Sequence, residues 1–242
     1  MGSPSRLLLS IEGIRSLYEY GIGWLLHVPL QFISPKGDGH PVIIIPGLGT
    51  ADGSTHYARN FIKSIGYESH PWGLGRNLGP RRGMENLITQ LVKRVQDVYD
   101  ESGGQQISLI GWSLGGIYSR EIAKIRPDLI RQVITLGTPF KSAADGTNAA
   151  KLYELLSKDT SHRNPEIIKQ LETAPPVPFT SLYSKTDGVV HWESSIEVEG
   201  PFSENIEIPY ASHLGLGHNP ISMYVIADRL KYTKDNWQPF RI

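Results

Sequence analysis

Strand-like and helix-like segments alternate along most of this chain, and this pattern is the strongest constraint on its fold. The apolar run HPVIIIPG precedes the helical pattern THYARNFIKSIG, and QISLIGW precedes LGGIYSREIAKI in the same way. Further strand-like segments are YESHPW, RQVITLG, PFTSLYS and NIEIPY. Alternation of this kind builds right-handed crossovers, which give a parallel sheet with helices on both faces. We therefore expect an α/β fold with a mostly parallel sheet.

Length, charge and cysteine content narrow the possible classes. With 242 residues the chain is long enough for a sizeable core, and we expect residues 1–242 to form a single domain. The 24 basic residues balance 24 acidic ones, and no run of Lys or Arg stands out, so we expect no nucleic-acid partner. The chain has no cysteine, so disulfides and a thiolate nucleophile are excluded.

Residues 5–27 show the apolar spacing of an amphipathic helix. The apolar positions are Leu7, Ile11, Ile14, Tyr18, Ile22 and Leu25. We expect this stripe to pack on the core of the domain, and the alternative is that part of it docks on a membrane or a partner. Glu12, Arg15 and Glu19 interrupt the segment before it reaches the length of a membrane span, and no small-residue cleavage site follows. We therefore expect a cytoplasmic protein with, at most, peripheral membrane contact.

A serine lies at the junction between a predicted strand and a predicted helix. In the sequence Gly111-Trp112-Ser113-Leu114-Gly115, the strand ISLI ends and the next helix begins. A sharp turn here projects the serine Oγ from the carboxyl edge of the sheet, and the flanking glycines let strand and helix approach each other. The N–H groups at the helix N-terminus point to the same place. We therefore predict that Ser113 is a catalytic nucleophile.

A serine nucleophile needs a base and a group that orients the base. In a sheet of this kind both follow later strands, in the order serine, acid, histidine. Asp187 directly follows the strand PFTSLYS, and His213 follows the last predicted strand. We therefore predict that Asp187 is the acid and His213 is the base.

Other residues compete for these roles. His191 and His218 are alternative bases, and Asp145 and Asp159 are alternative acids. His218 adjoins the start of the last helix, and the two aspartates lie in a loop-rich insertion where capping is the more common role. A further alternative is a metal site built from Asp187, His191, His213 and His218. We expect neither a metal nor a cofactor, because the sequence has no His-x-x-x-His pair.

Five segments resemble, in order, motifs of the α/β-hydrolases of the compact bacterial lipase and esterase type. PGLG stands where those enzymes have His-Gly-x-Gly, and GWSLGG resembles the turn that carries their nucleophile. LGTPF matches their Leu-Gly-Thr-Pro segment, TDGVV their acid turn, and SHLGL their histidine loop. The matching segments run from about residue 41 to residue 230, which is most of the chain.

This resemblance implies an α/β-hydrolase fold with a sheet of about six strands, because the N-terminal helix takes the place of the first two strands of larger relatives. It also implies that the backbone N–H groups of Leu48 and Leu114 form the oxyanion hole. Pro46 replaces the histidine that usually precedes the oxyanion glycine. Since the expected donors are backbone groups, this departure is compatible with catalysis.

Two tryptophans are candidates for substrate contact. WGLGRNLGP ends a strand at the catalytic edge and resembles a segment of a less characterised branch of these hydrolases, so Trp72, Arg76 and Asn77 are expected to line the cleft. A structural turn is the alternative for this segment. Trp112, which precedes the predicted nucleophile, is the second tryptophan that we expect to contact substrate.

The alternation of strands and helices fails after the strand RQVITLG, where two predicted short helices lie among Gly, Asn, Asp and Pro. Both ends of this insertion lie at the catalytic edge, so we expect residues 140–176 to form a helical cap over Ser113. Leu152 and Leu156 are expected to line an acyl channel. The alternative is that the apolar faces of the two helices pack together as a small separate core.

These residues predict a serine carboxylesterase or lipase that acts on a small-molecule or lipid ester. In this mechanism His213 deprotonates Ser113, two N–H groups bind the oxyanion, and water releases the acid from an acyl-enzyme. An acyltransferase or a thioesterase would use the same groups. A non-catalytic binding module of the same fold is a further alternative, for which a broken triad is expected.

Overall fold

A six-stranded parallel sheet forms the centre of the computed structural model, which describes residues 4–141, 148, 153, 156, 157 and 165–241. The strands are β1 (Pro41–Ile45), β2 (Glu68–Pro71), β3 (Ile107–Trp112), β4 (Ile130–Leu136), β5 (Phe179–Tyr183) and β6 (Ser203–Glu207). Their order in the sheet is β2-β1-β3-β4-β5-β6, and every neighbouring pair is parallel. The predicted α/β fold with a sheet of about six strands is confirmed.

Helices cover both faces of this sheet. They are α1 (Arg6–Ile33), α2 (His56–Ser64), α3 (Met84–Glu101), α4 (Leu114–Ile125), α5 (Pro165–Glu172) and α6 (Pro220–Leu230). The core on one face combines side chains of α1, α2 and α6, and the core on the other face combines those of α3, α4 and α5. Strands β1 and β3 are buried along their whole length, as expected for central strands of a covered parallel sheet.

Helix α1 differs from the predicted N-terminal helix in length and in orientation. It continues beyond residue 27 to Ile33. The predicted apolar stripe does not pack on the core: Leu7, Ile14, Tyr18 and Leu25 are each exposed to 70% or more. That expectation was wrong, because a different face of the helix is turned inward. Its buried residues are Glu12, Glu19, Gly23 and Leu30.

Two observations explain why this face is buried. A Cβ atom on Gly23 would lie 2.5 Å from the His218 carbonyl oxygen, so only glycine allows α1 to approach that loop so closely. The Tyr57 hydroxyl donates to the Gly23 carbonyl at 2.7 Å and fixes α1 to α2. The two glutamates reach hydrogen-bond donors of distant loops, which offsets the cost of burying their charge.

None of the helices within the described ranges combines the length and apolarity that crossing a bilayer requires.

A buried ion pair holds α4, which begins next to Ser113. Arg120 of α4 pairs with Glu197 at 2.8 Å, and both side chains are almost completely buried. The guanidinium lies 3.9 Å from the ring centre of Phe140 and donates to the carbonyls of Leu171 and Thr173 near the end of α5. Arg120 therefore ties α4 to α5 and to the loop before β6.

About half of the predicted cap lies outside the described residues. Asp145, Leu152 and Asp159 are among the predicted residues that lie there. The cap, its extent of 140–176 and the single-domain boundaries remain predictions.

Candidate active site

Ser113 has a backbone conformation that is rare for a residue with a side chain. It lies between the end of β3 and the start of α4, with φ 52° and ψ −122°. Its N–H donates to the Leu136 carbonyl at 2.8 Å, and its carbonyl accepts hydrogen bonds from the Gly116 N–H and the Thr138 hydroxyl, both at 2.9 Å. A positive φ in a serine costs free energy, which these hydrogen bonds on both sides offset.

The neighbouring glycines let β3, α4 and β1 come together at this turn. A Cβ atom on Gly111 would collide with the backbone of Gly116, and one on Gly115 would collide with the Ile45 carbonyl of β1. A Cβ atom on Gly116 would collide with Thr138. These positions therefore have no room for a side chain, which is the close approach that the sequence pattern predicts.

Asp187 and His213, the predicted acid and base, are in direct contact. Asp187 Oδ2 lies 2.6 Å from His213 Nδ1, and both side chains are buried. The other carboxylate oxygen of Asp187 accepts the N–H groups of Val189 at 2.8 Å and Val190 at 2.7 Å. The carboxylate is therefore fixed in place, and it directs the second ring nitrogen of His213, Nε2, away from itself.

Several contacts connect this pair to the turn at Ser113. The indole N–H of Trp112 donates to the His213 carbonyl at 3.1 Å. A Cβ atom on Gly137, just after β4, would lie 3.0 Å from both Asp187 Oδ2 and His213 Nδ1. The pair thus lies at the carboxyl end of β4, the strand next to the one that ends at Ser113. On the other side, a Cβ atom on Gly47 would lie 3.3 Å from the Cβ of Ser113.

The pKa of His213 is raised above its ordinary value by its charged neighbours. Burial is the largest single influence and by itself lowers this pKa. The charge and hydrogen bond of Asp187, together with the charge of Glu12, act in the opposite direction and prevail. The site therefore favours the protonated imidazolium, which is the form a general base takes after it accepts a proton.

The loop after β1 carries Leu48, one of the predicted oxyanion donors. Asn77, which is 1% exposed, holds this loop through three hydrogen bonds. Its side-chain amide donates to the Pro46 carbonyl at 2.8 Å, its backbone carbonyl accepts from the Gly49 N–H at 2.6 Å, and its N–H donates to the Thr50 carbonyl at 2.7 Å. Asn77 thus supports the loop and does not line a cleft, so the expectation for this residue was wrong, whereas Arg76 is exposed and its place in the cleft stays a prediction.

The N–H groups of Leu48 and Leu114 have no hydrogen-bond acceptor among the described residues. Leu114 is the first residue of α4, where backbone N–H groups lack a partner within the helix. Leu114 directly follows Ser113, and Leu48 follows Gly47, on which a Cβ atom would lie 3.3 Å from the Cβ of Ser113.

The structure places both tryptophans in the core. Trp72 is 2% exposed, packs with Ile43 and Leu91, and donates its indole N–H to the Gly75 carbonyl. The prediction that Trp72 lines the cleft is therefore wrong, because its ring points into the core on the α3 side of the sheet. Trp112 is likewise buried and supports the loop that carries His213.

Parts of the predicted cap that the structure describes contact the site loops. A Cβ atom added to Gly49 would lie 3.9 Å from Leu156 Cδ1, so this side chain packs against the loop after β1. Arg81 donates to the Leu156 carbonyl at 2.7 Å. The Asn148 side chain donates to the carbonyl of Gly188, the residue after Asp187, at 2.8 Å. Leu156 remains a predicted substrate contact, and Leu152 lies outside the described residues.

The alternative bases face other parts of the molecule. His218 Nε2 lies 3.0 Å from the Ser16 carbonyl of α1, and burial lowers its pKa. The ring of His191 stacks on Trp192 at the surface. Asp187 and His213 are in contact, but the described residues contain no group of three or more His, Asp or Glu side chains that converge as metal ligands.

A second Ser-His-Asp arrangement lies at the opposite edge of the sheet, and the sequence analysis missed it. His40 lies 2.6 Å from Asp38 through Nδ1 and 2.7 Å from the Ser108 hydroxyl through Nε2. Ser108 is a regular strand residue of β3 and is completely buried. Burial and then the charge of Arg131 lower the pKa of His40 to about 4. This arrangement holds the start of β1 to β3, and its hydroxyl is inaccessible to a substrate.

Helix α1 also contacts the site loops, through Glu12, Arg15 and Glu19, whose role was not predicted from the sequence. The sequence signal for this role was the seven-residue spacing of the two glutamates, which places them on one face of the helix. The loops that they contact lie more than 170 residues further along the chain.

Comparison with known proteins gives matches in both sequence and structure. The family model of the PGAP1-like alpha/beta domain matches residues 81–189. A triacylglycerol lipase of Pseudarthrobacter phenanthrenivorans is 29% identical over 120 residues, which cover 43% of this chain and 34% of that lipase. A triacylglycerol lipase of Burkholderia plantarii is also 29% identical over 120 residues, which cover 30% of its length. The matched region thus spans about a third of these relatives.

The structural match extends over much more of the chain. The mature form of lipase BlEst2 from Bacillus licheniformis superposes with a TM-score of 0.62, covering 83% of this chain and 95% of that lipase. The two sequences are 16% identical, so this likeness shows a shared fold.

Proposed function

Because this chain has the α/β-hydrolase fold and is similar over part of its length to triacylglycerol lipases, we propose that it is a serine hydrolase of carboxylic esters, an esterase or lipase. One observation carries the proposal. Ser113 adopts a positive φ at the junction of a strand and a helix, beside a buried Asp187–His213 pair. A strained backbone at a sharp strand–helix turn is the geometry that a nucleophile of this fold has, and this supports the role proposed for Ser113.

In the proposed mechanism, Ser113 attacks the ester carbonyl while His213 Nε2 accepts the proton of its hydroxyl. Asp187 holds the ring by its hydrogen bond to Nδ1 and stabilises the imidazolium that forms. The N–H groups of Leu48 and Leu114 bind the oxyanion of the tetrahedral intermediate. His213 then protonates the leaving alcohol, and water, activated by the same histidine, hydrolyses the acyl-enzyme.

A cap formed by residues 140–176 would close this site from one side. The contacts of Leu156 with the Gly49 loop and of Asn148 with Gly188 support this part of the proposal, because they connect the insertion to both sides of the site. Leu152 and Leu156 would then contact the acyl chain, and short to medium chains would fit best.

We further propose that α1 contacts a lipid surface. Its outward face carries large apolar side chains, among them Leu17, Trp24, Leu25 and Phe32, each about 70% or more exposed. Both glutamates of α1 point inward, so this face carries no carboxylate. Tryptophan and large aliphatic side chains on one face of a helix are typical of helices that lie in the membrane interface. A lipid ester substrate would be located at the same surface.

Hydrolysis of a panel of nitrophenyl esters, from acetate to palmitate, tests the proposed activity. We expect the highest kcat/KM on short to medium acyl chains, and we expect Ser113→Ala to lower kcat by about a thousandfold or more. Ser108→Ala is the matched control, because it removes a serine hydroxyl from the second Ser-His-Asp arrangement on the same strand. Full activity in Ser113→Ala would contradict the proposal. Preferential transfer of the acyl group to an added alcohol would identify an acyltransferase.

A further inference from the structure

We propose that Glu12 of α1 is a positioning residue for His213, so that the N-terminal helix forms part of the catalytic apparatus. This inference rests on the proposed function, since it concerns the same site. The proposal adds Glu12, which belongs to the N-terminal helix, to the proposed triad of Ser113, Asp187 and His213.

Glu12 is a buried carboxylate that connects the two loops bearing the acid and the base. Its Oε1 accepts the N–H of Gly188, which follows Asp187, at 2.6 Å, and the N–H of His213 itself at 3.2 Å. Its Oε2 lies 3.5 Å from the N–H of Leu214. One side chain thus fixes the backbone on both sides of the Asp187–His213 hydrogen bond.

Arg15, one turn further along α1, spans the same two loops. It donates to the Thr186 carbonyl at 2.7 Å and to the Thr186 hydroxyl at 3.0 Å, and it also donates to the Tyr210 carbonyl at 2.9 Å. Its guanidinium lies 3.6 Å from Glu12. The acid loop and the histidine loop are therefore each held from α1 by a negative and a positive side chain.

The approach of α1 to both loops is close enough to require glycines. A Cβ atom on Gly188 would lie 2.5 Å from the backbone of Leu8, and one on Gly215 would collide with the carboxylate of Glu19. Glu19 accepts the N–H of Ser212 at 2.8 Å and the side-chain amide of Asn219 at 3.1 Å. Glu19 therefore holds the histidine loop without contacting His213.

Glu12 acts on His213 through charge as well as through position. A second carboxylate beside the His213 backbone favours the imidazolium that forms when His213 takes the proton from Ser113, and the charge of Glu12 contributes to the raised pKa of His213. A glutamate that merely filled space would be costly, because a buried carboxylate loses its hydration. The hydrogen bonds from backbone N–H groups offset that cost and direct the charge toward the histidine loop.

The test replaces Glu12 by Gln, which keeps the shape but removes the charge and one acceptor. We expect kcat on a soluble short-chain ester to fall by about tenfold to a hundredfold with little change in KM, because the base is misplaced while the substrate contacts remain. We also expect the acid limb of the pH profile to move to lower pH. The charged groups facing His213 are Asp187 from the loop after β5 and Glu12 from α1, with Arg15 of α1 beside Glu12.

Proton NMR of the His213 Nδ1–H, followed against pH, gives the same information without using activity. The comparison variant is Glu19→Gln, which removes another buried carboxylate from the same helix. We expect both variants to lower the melting temperature, and only Glu12→Gln to lower the pKa of His213. If Glu12→Gln does not fold, Glu12→Asp keeps the charge but shortens the reach, and its kcat should fall while the pKa of His213 stays raised.

An unchanged pKa of His213 in Glu12→Gln, with activity lost only in step with melting temperature, would overturn the inference. Equal pKa shifts in the Glu12 and Glu19 variants would also overturn it, as would a Glu12→Asp variant with undiminished kcat. The proposed function is tested separately. If the wild-type protein has no esterase activity, that proposal fails, and the NMR titration still shows whether Glu12 raises the pKa of His213.

Discussion

Ser108 in β3 and Ser113 in the turn after β3 carry the same hydroxyl group, but their surroundings differ. Ser108 has a regular strand backbone, is fully buried and serves a histidine whose pKa is lowered to about 4. Ser113 has a strained backbone at the carboxyl edge, close to a histidine whose pKa is raised. A raised pKa makes a histidine a stronger base, whereas the lowered one makes His40 a weak base. These differences support the proposal that Ser113, and not Ser108, is the nucleophile.

The raised pKa of His213 predicts the pH dependence of the reaction. His213 accepts a proton only when it is neutral, so kcat/KM should rise with pH through a midpoint above 6.5, the ordinary histidine value. In Asp187→Asn, the residual activity should show an acid limb at lower pH, because the largest favourable influence on the imidazolium is lost. The measurement is log kcat/KM against pH with an ester whose product signal is independent of pH. A wild-type midpoint below 6.5 would contradict this account.

Residue positions at strand ends could be predicted from sequence, and their burial could not. Asp187 and His213 each follow a recognisable strand, and the structure brings them together at 2.6 Å. Trp72 also follows a strand, but its ring turns into the core. The end of a strand determines where the backbone leaves the sheet. The direction of the Trp72 side chain depends on packing against α3, and the sequence around Trp72 does not reveal this packing. The role of Asn77 was missed for the same reason, since its partners lie in the loop after β1.

For α1, the apolar periodicity of the sequence predicted the helix correctly but its buried face wrongly. The apolar spacing predicted an amphipathic helix, and the helix is present. The inward face was misjudged, because burial of an apolar stripe is the usual outcome for a helix on a globular core. Here Glu12 and Glu19 face inward because backbone donors from distant loops satisfy their carboxylates. Because the glutamate face is turned inward, the apolar residues on the other faces of α1 are exposed.

The exposed face of α1 predicts binding to lipid vesicles. We expect the wild-type protein to float with phosphatidylcholine vesicles, and we expect a variant with Leu17, Trp24 and Leu25 changed to Ser to remain at the bottom of the gradient, because burial of these side chains supplies the binding free energy. The ratio of activity on a vesicle-borne ester to activity on a soluble ester should fall in parallel. Changing Val198 and Ile125, exposed apolar residues elsewhere, to Ser is the control.

Equal flotation of the α1 variant and the wild type would contradict the lipid proposal. A wild-type dimer that this variant converts to a monomer, without vesicle binding in either form, would instead assign the apolar face to self-association. Removal of the whole helix is a poorer test, because it also removes the contacts of Glu12, Arg15 and Glu19 with the loops that carry Asp187 and His213.

At the scale of the whole molecule, strand order explains why residues far apart in sequence form one site. Strands β1, β3, β4 and β5 are neighbours in the sheet, and the loops that follow them carry Leu48, Ser113, Gly137 and Asp187. Because all strands are parallel, these loops meet at one edge. The predicted resemblance to the α/β-hydrolase superfamily of lipases and esterases is confirmed by the structural and sequence matches. The alternation of strands and helices predicted the parallel sheet, and the resemblance predicted its six strands, whereas the order β2-β1-β3-β4-β5-β6 was not predicted.

The central claim is that Ser113 is the nucleophile, and mass spectrometry after treatment with a fluorophosphonate tests it most directly. We expect a single covalent adduct on the peptide that contains Ser113 in the wild type and in Ser108→Ala, and none in Ser113→Ala or in the denatured protein, because only the folded site activates this hydroxyl. An adduct that persists in Ser113→Ala, or an active enzyme that forms no adduct, would contradict the account.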